Sequence, residues 1–328
     1  MKVLNVGILG TGTALPARIV TNADLARTLD TSDEWIRSRT GICERRIAEK
    51  DEQTSDLAVK AAQDALRKAG TAVDEVDLII VATTSPDALI PATACYVQTK
   101  LGAVNAAAFD LAAGCTGFIY GLSVGSQFVR TGVYKRVLVI GAEVFSRILD
   151  WSDRSTCVLF GDGAGAVLLG PTAEEGLLSL KMGADGTYAN LLTIPAGGVR
   201  MPAASETVAL RQHYLKMLSG NEVFKFAVRV MGEVTQQALD EAGVSKEELD
   251  FLIPHQANWR IIEAARKRFD LPEDRVIVNI DCYGNMSSAS IPVALDEAVS
   301  AGRIKRGDLL ALVGFGAGLT WGAAILRY

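Results

Sequence analysis

The chain has 328 residues, of which 49% are hydrophobic and 22% are charged, and its net charge is −5. This length exceeds what one hydrophobic core usually supports, so two domains or two fused halves are expected. The acidic balance gives no global signature of nucleic-acid binding or of binding to an anionic membrane.

The N-terminal residues predict a first strand that runs into a glycine-rich turn at Gly10 and Gly12, with no apolar leader or cleavage site. We therefore expect a cytoplasmic protein. Five cysteines without Cys-x-x-Cys spacing argue against a disulfide framework and against a zinc site. Two uncharged segments, 111–129 and 309–326, are rich in glycine, so burial in an α/β core is favoured over a membrane span.

The chain carries an internal repeat. An amphipathic helix is predicted over about 54–69, followed by Gly70 as its cap and by a buried strand at 78–83. The residues that recur 173 positions later are Ala65, Leu66, Ala69 and Gly70, which match Ala238, Leu239, Ala242 and Gly243. Two halves, 1–172 and 173–328, are therefore expected.

Further apolar runs extend the repeat. Strands are predicted at 106–111, 137–141 and 163–170 in the first half, and at 276–281, 310–314 and 321–328 in the second. Continuous apolar strands that alternate with helices are typical of buried parallel sheets covered by helices.

Cys115 lies where the predicted strand 106–111 ends and a long uncharged helical stretch begins. A thiol at a helix N-terminus is expected to have a pKa below its ordinary ~8.5, which makes it a candidate nucleophile. The structural alternative is a small buried apolar side chain.

His255 and Asn285 follow strands of the second half. The chain has only two histidines, which excludes a polyhistidine metal site. Because catalytic groups gather beyond the carboxyl ends of strands, we expect Cys115, His255 and Asn285 to face one cavity. A thiol with two hydrogen-bond donors suits thioester chemistry, although a structural histidine and a turn asparagine remain alternatives.

Several glycine-rich stretches were weighed for ligand binding. The turn at 313–320 has three glycines, so its amides could stabilise an oxyanion, or it could be a plain β-turn. The stretches at 10–12 and 161–165 lack the strand, glycine and helix order of a dinucleotide site.

Motifs along the whole chain resemble the β-ketoacyl-acyl carrier protein synthase III enzymes, which share the duplicated thiolase fold. The matching stretches are Asp33–Ile42, Phe109–Phe118, Phe160–Gly165, Pro254–Asn258, Tyr283–Asn285 and the turn at 314–322. The resemblance implies an α/β protein with two pseudo-symmetric halves. Each half would hold a mixed, mainly parallel sheet, in five layers ordered α-β-α-β-α.

The implied reaction is a decarboxylative Claisen condensation of a short acyl-CoA primer with malonyl-acyl carrier protein, which initiates fatty acid synthesis. Cys115 would carry the acyl group, and the backbone N–H groups of Cys115 and Ala317 would bind the oxyanion. His255 and Asn285 would stabilise the enolate of the malonyl thioester. No metal or redox cofactor is implied.

The resemblance also assigns substrate contacts. Trp35 and Arg154 would sandwich the adenine of coenzyme A, with Thr31 and Arg39 near its phosphates and Asn258 along the pantetheine tunnel. Ile90 would shape the primer pocket near the interface of a homodimer. The acidic carrier protein would dock on basic residues, namely Lys225, Arg260, Arg266, Lys267 and Arg268.

Several positions depart from the family pattern. Ile90 stands where a bulky Phe is common, so branched primers become possible. Ala317 lies in a turn that is commonly all glycine, Met286 and Ser288 replace Thr and Ala, and Trp259 replaces an aliphatic residue.

Other classes of protein were considered. Papain-like cysteine proteases share the Cys-His-Asn order but not the local cysteine motif or the duplicated pattern. A thiolase would need a second cysteine near the C-terminal turn, and the last one is Cys282. A related acyltransferase or condensing enzyme of polyketide or other secondary metabolism stays the main alternative, and a catalytically silent scaffold is disfavoured by the intact set.

Overall fold

A computed structural model describes residues 3–174 and 176–328 of the chain. Helices and strands alternate along these residues, which confirms the predicted α/β class. The strands are β1 (Val6–Ala14), β2 (Arg18–Thr21), β3 (Glu44–Ile47), β4 (Leu78–Ala82), β5 (Ala107–Leu111), β6 (Val137–Glu143), β7 (Gly163–Pro171), β8 (Leu177–Ala184), β9 (Leu192–Thr193), β10 (Lys216–Met217), β11 (Phe251–Pro254), β12 (Leu309–Gly316) and β13 (Thr320–Arg327).

The helices follow the amphipathic pattern of the sequence. They are α1 (Asn22–Ala26), α2 (Asp33–Thr40), α3 (Thr54–Ala69), α4 (Thr93–Leu101), α5 (Gly117–Arg130), α6 (Ser205–Ala209), α7 (Gly220–Ala242), α8 (Trp259–Arg268), α9 (Ile280–Tyr283) and α10 (Ser290–Ser300). Over the described residues, no helix combines the length and the apolar character that crossing a bilayer requires.

The first sheet has the order β1-β7-β6-β4-β5, in which β4 is parallel to both β5 and β6 and β7 is antiparallel to its neighbours. The predicted glycine turn at Gly10 and Gly12 is wrong, because both residues lie inside β1. A Cβ atom at either glycine would lie 2.4 or 2.3 Å from a carbonyl oxygen of α3. These glycines therefore let α3 pack closely on the strand.

The second sheet has the order β11-β12-β13-β8, with β11 parallel to β12. The predicted strand 276–281 is wrong, since only Val276 bridges to Leu252 and α9 follows. The Gln256 side chain takes the place of a ladder here, because its Nε2 donates to Ile277 O at 3.1 Å and its Oε1 accepts from Asn279 N at 3.1 Å.

The five predicted layers are present. Helices α3 and α4 cover the outer face of the first sheet, and α7 and α8 cover that of the second. Between the sheets lie α5 and α10. The chain passes from one sheet to the other between Pro171 and Leu177. The division into separate units at residue 172 stays a prediction.

The repeat holds in three dimensions over much of each half. Helices α3 and α7 end at Ala69 and Ala242, 173 residues apart, and each is capped by a glycine in the left-handed conformation. Strands β4 and β11 begin at Leu78 and Phe251, again 173 apart. In each half the chain leaves the sheet after the first strand and returns at the long outer helix. We call residues 15–53 the first excursion and residues 185–219 the second.

Candidate active site

Cys115 lies in a 3₁₀ turn, Gly114–Thr116, that directly precedes α5. The helix thus begins at Gly117 and not at the cysteine as predicted. The side chain is 7% exposed, and burial raises the pKa of the Cys115 thiol to about 12. The predicted lowering of this pKa is wrong, because desolvation of the thiolate outweighs the helix terminus in the unliganded protein. The free thiol is therefore protonated.

His255 follows β11 directly and is 1% exposed. Its ring packs edge-on against Phe315 at 5.6 Å between centroids. Neither ring nitrogen has a hydrogen-bond partner among the described residues, and burial lowers the pKa of His255 to about 3. The imidazole is therefore neutral at physiological pH, with one N–H to donate and one nitrogen to accept.

Asn285 is held by backbone contacts on both sides. Its N–H donates to Leu159 O at 2.9 Å, and its carbonyl accepts from Gly161 N at 3.0 Å. The Ser287 N–H donates to the side-chain oxygen of Asn285 at 2.8 Å. Because an N–H can only donate, this contact assigns Oδ1 and leaves the amide NH₂ as the donor end.

The structure places Cys115, His255 and Asn285 around one cavity of about 340 Å³. Phe315, beside His255, also lines this cavity. Cys115 comes from the first half, and the imidazole and carboxamide come from the second. A nucleophile and two hydrogen-bond donors thus share one space, an arrangement that suits thioester chemistry.

Close backbone contact joins the turn of Cys115 to the loop that follows β12. A Cβ atom at Gly114 would lie 2.8 Å from Ala317 N, and one at Gly316 would lie 2.6 Å from Cys115 N. Side chains at either glycine would therefore separate the two segments. The two amide nitrogens predicted to bind an oxyanion meet at this junction.

A second cavity of about 230 Å³ opens on another side of Cys115 and was missed by the sequence analysis. Its apolar walls come from Phe145, Ile148, Phe160, Leu192, Ile194 and Leu215. Phe145 and Ile148 follow the carboxyl end of β6, which was a usable signal. The second excursion supplies Leu192, Ile194 and Leu215, and it has no periodic pattern that would have indicated a role.

The predicted nucleotide contacts cluster at the edge of the 340 Å³ cavity. The Arg39 and Arg154 guanidinium groups lie over the Trp35 ring at 4.5 and 5.4 Å from its centroid. Arg154 also pairs with Asp30 at 3.1 Å. Arg39 lines the cavity, whereas Thr31 lies beside this group with its hydroxyl buried and without a partner among the described residues.

Asn258 ties two helices together at the cavity mouth. Its Oδ1 accepts from Arg260 N at 2.9 Å and caps α8, while its Nδ2 donates to Arg39 O at 3.0 Å at the end of α2. Arg260 adds a bond to Ser38 O at 3.1 Å. Asn258 lines the cavity as predicted, but both ends of its amide already serve this structural role.

The predicted docking surface on α8 is less positive than its sequence indicates. Glu263 pairs with Arg266 through two contacts of 2.7 Å and with Lys267 at 3.3 Å. Arg266 holds the pKa of Glu263 at about 2. The Arg268 side chain lies against Gly232 of α7. Lys225 is exposed on α7, beside the cavity-lining Phe224.

Ile90 does not line either cavity within one chain. It is 88% exposed, and its neighbour Leu89 is 82% exposed. The prediction that Ile90 shapes the primer pocket is therefore not met by the single chain, because the side chain points to solvent there.

Two parts of the chain match families of known proteins. Residues 109–186 match the family described as 3-oxoacyl-[acyl-carrier-protein] synthase III, and residues 239–328 match its C-terminal family. A β-ketoacyl-[acyl-carrier-protein] synthase III of Caldanaerobacter subterraneus subsp. tengcongensis is 56% identical over 98% of this chain and 97% of its own.

Two solved structures are similar over nearly the whole chain. The 3-oxoacyl-[acyl-carrier-protein] synthase III of Aquifex aeolicus has a TM-score of 0.91 at 48% identity, covering 99% of this chain and 100% of its own. The priming β-ketosynthase of the R1128 polyketide pathway has a TM-score of 0.93 at 36% identity, covering 99% and 97%. The polyketide relative is thus the more distant of the two in sequence.

Proposed function

The chain belongs to the 3-oxoacyl-[acyl-carrier-protein] synthase III family, and from that membership we propose that it condenses a short acyl-CoA primer with malonyl-acyl carrier protein to initiate fatty acid synthesis. The observation that carries this proposal is the single cavity shared by Cys115, His255 and Asn285. The apolar second cavity beside Cys115 gives the primer a place that excludes water.

In the first stage the Cys115 sulfur attacks the primer's thioester carbonyl. The bond from carbonyl carbon to the coenzyme sulfur breaks, and the thiol proton leaves with coenzyme A as its thiol. The oxyanion formed on the way accepts hydrogen bonds from the N–H groups of Cys115 and Ala317. An acyl group remains on Cys115.

In the second stage the malonyl thioester loses carbon dioxide, and the electron pair of the broken carbon–carbon bond enters the thioester as an enolate. The enolate oxygen accepts hydrogen bonds from Asn285 Nδ2 and from His255, in the tautomer that carries its proton on Nε2. In this tautomer the neutral imidazole donates through its Nε2–H. The enolate carbon then attacks the acyl group, and the Cys115 thiolate regains a proton.

Mass spectrometry of the intact protein tests both stages. Incubation with acetyl-, isobutyryl- and longer acyl-CoA is expected to add the acyl mass at Cys115, and Cys115→Ala should add none. If none of the primers gives an adduct on Cys115, the proposal is overturned. An adduct without carbon dioxide release from malonyl-acyl carrier protein would favour an acyltransferase of secondary metabolism.

Coenzyme A is proposed to enter through the mouth formed by α2 and α8. The adenine would lie between the Trp35 ring and the Arg154 guanidinium after Arg154 moves away from the ring face, and Thr31 and Arg39 would meet the phosphates. Asn258 would face the pantetheine while it holds α8 to α2.

The carrier protein is proposed to dock around the same mouth. Lys225 and Arg260 are exposed there, and Lys267 and Arg268 extend the surface along α8. Arg266 is committed to Glu263 and Leu271 O, so its contribution to docking is expected to be small.

A homodimer is proposed through the open edge of the first sheet. Among the described strands, β5 pairs only with β4, and such an edge is a template for pairing with another chain. Exposed Leu89 and Ile90 would be covered by a second copy, which could bring Ile90 to its neighbour's primer pocket. Sedimentation should give twice the 34.9 kDa of one chain, and a monomer would refute this.

The cytoplasmic location, and chemistry without a metal or redox cofactor, stay predictions.

A further inference from the structure

The turn Ser287–Ala289 stands in the second half where the turn of Cys115 stands in the first. It precedes α10 as Gly114–Thr116 precedes α5, and the two turns begin 173 residues apart, at Gly114 and Ser287. They also pack against each other between the sheets. Ser287 is therefore the structural counterpart of Gly114.

Both counterparts adopt the left-handed conformation, with φ of +54° at Gly114 and +47° at Ser287. Glycine reaches this region at no steric cost, whereas a residue with a side chain is strained there. A strained serine persists only where the surroundings hold it, which makes its side chain a candidate for a role of its own.

The Ser287 hydroxyl is available for such a role. The residue is 1% exposed, and its Oγ has no hydrogen-bond partner among the described residues. It lines the 230 Å³ cavity together with Cys115. A buried hydroxyl that is not committed to a fixed acceptor can donate to a sulfur that becomes negatively charged.

Glu143 lies at the end of β6, is fully buried and contacts Ser288, the chain neighbour of Ser287. Its Oε2 accepts from Ser85 Oγ at 2.6 Å and from Ser85 N at 3.0 Å, and its Oε1 accepts from Thr84 Oγ1 at 3.0 Å. Burial raises the pKa of Glu143. The carboxyl group thus ties the end of β4 to its own strand.

Ser288 indicates which form Glu143 takes. Its Oγ lies 2.8 Å from Ala82 O and 2.9 Å from Glu143 Oε1. A hydroxyl has one proton and a carbonyl oxygen has none, so Ser288 makes a full two-centre hydrogen bond to each partner where Glu143 carries a proton on Oε1. Ser288 then donates to Ala82 O and accepts from Glu143.

We propose that Ser287 is a further catalytic residue, whose hydroxyl donates a hydrogen bond to the Cys115 sulfur whenever that atom carries negative charge, and that neutral Glu143 is the positioning residue behind it. The proposal rests on the proposed acyl transfer at Cys115. Ser287 thus gives the thiolate a hydrogen-bond donor from the second half, whereas Cys115 and the helix α5 that follows it belong to the first half.

The electrostatics agree with this assignment. Burial raises the pKa of the Cys115 thiol, a hydrogen bond from the Ser287 hydroxyl works in the opposite direction, and a charged Glu143 would raise the pKa further. The titratable groups that face the thiol are Glu143 and His255. A neutral Glu143 avoids placing a like charge beside the thiolate.

Alkylation of Cys115 by iodoacetamide tests the proposal without any acyl-CoA. The rate at this site, read by peptide mass spectrometry between pH 7 and 10, follows the thiolate fraction. Ser287→Ala should slow alkylation about tenfold at each pH, which is the effect of raising the thiol pKa by about one unit. Ser126→Ala is the matched control, because that buried hydroxyl bonds only within α5.

Ser287→Gly separates the hydroxyl from the backbone strain. If the hydroxyl matters, this variant is as slow as Ser287→Ala, although its backbone is relaxed. Wild-type alkylation rates in both variants would overturn the proposal. Failure of the proposed function would give a different result. In that case Cys115 of the wild-type protein is alkylated by iodoacetamide but accepts no acyl group from acyl-CoA.

Glu143→Gln tests the neutral state of the carboxyl group. Removing a negative charge beside the thiol would accelerate alkylation about tenfold, whereas replacing a neutral acid by a neutral amide would not. Acceleration in Glu143→Gln would overturn the role assigned to neutral Glu143. Thermal melting of each variant shows whether it remains folded.

Discussion

The two excursions occupy equivalent places in the two halves, but the first presents charged side chains to the site and the second presents apolar ones. The first, residues 15–53, carries Trp35 and Arg39 and forms a charged rim at the cavity mouth. The second, residues 185–219, carries Leu192, Ile194 and Leu215 and walls the apolar cavity. On the proposed function, one duplicated scaffold thus offers a polar site for the leaving coenzyme and an apolar site for the retained acyl chain.

The strands differ between the halves as well. β5 completes the edge of the first sheet, whereas α9 occupies the equivalent positions 173 residues later, Ile280–Tyr283 against Ala107–Asp110. Loss of the strand frees the chain to bend toward the cavity, which brings Asn285 to its place. The first half uses this segment as the edge strand of its sheet, and the second half uses the equivalent segment to reach the candidate active site.

The largest expected effect concerns the nucleophile of the first half. Cys115→Ala should lower condensation at least about 1,000-fold, because no acyl-enzyme can form. Cys157→Ala is the matched control, since Cys157 is an equally buried thiol that lines neither cavity. Steady-state assays with acyl-CoA and malonyl-acyl carrier protein give the ratio, and equal losses in the two variants would contradict the assignment.

The donors of the second half should act on the second stage alone. Asn285→Ala and His255→Ala are expected to slow carbon dioxide release about 100-fold or more, because each removes a donor to the enolate oxygen. Acylation of Cys115 should change less than tenfold in both. Rapid-quench mass spectrometry separates the two stages. An equal loss in the rate of Cys115 acylation would contradict the assignment of these donors to the second stage alone.

Filling the apolar cavity should change primer choice. Ile194→Trp is expected to lower kcat/KM for isobutyryl- or hexanoyl-CoA roughly 100-fold while acetyl-CoA loses much less, since the cavity no longer admits the longer chain. Val199→Trp adds the same ring to the same excursion at a fully exposed position and serves as control. A uniform loss with all primers would place the primer elsewhere.

The charged excursion should matter only for the nucleotide. Trp35→Ala is expected to raise KM for acyl-CoA about tenfold through the lost stacking, which is an energy of about 1.4 kcal/mol. Acyl-pantetheine lacks the nucleotide, so its kinetics should stay unchanged. An equal rise in KM for acyl-CoA and acyl-pantetheine would show that Trp35 acts on the shape of the cavity mouth and not on adenine binding.

The smallest expected effect is on stability against acid. Because His255 has a pKa of about 3 in the folded protein and an ordinary value near 6.5 when unfolded, the unfolded chain binds the extra proton in this window. Stability should fall by about 1.4 kcal/mol per pH unit from pH 6 toward pH 4 through this group. The free energy of unfolding, measured with urea, should fall less steeply with decreasing pH in His255→Asn than in the wild-type protein. His213→Asn is the control and should behave like the wild type.

Regular periodicity explains why much of the fold was predictable. The helix 54–69 was predicted with its observed ends, because its amphipathic pattern stops at a glycine that caps it. Segment 276–281 is as apolar as a strand, yet the Gln256 side chain replaces the ladder bonds, and such a substitution is not visible in local composition.

The site was predictable in its members but not in its energetics. Cys115, His255 and Asn285 could be placed together because strand ends of related halves meet. The thiol pKa could not, since it depends on burial by residues far apart in the chain. The walls of the apolar cavity were missed because the second excursion has neither periodicity nor rare residues.

The tie at Asn258 sets the order of events at the mouth. One side chain joins the start of α8 to the end of α2, so the helix proposed to receive the carrier protein and the helix proposed to hold the nucleotide share a boundary. On the proposed function, two bulky thioester carriers therefore compete for one entrance. They must alternate, and the enzyme has to retain the acyl group covalently during the exchange.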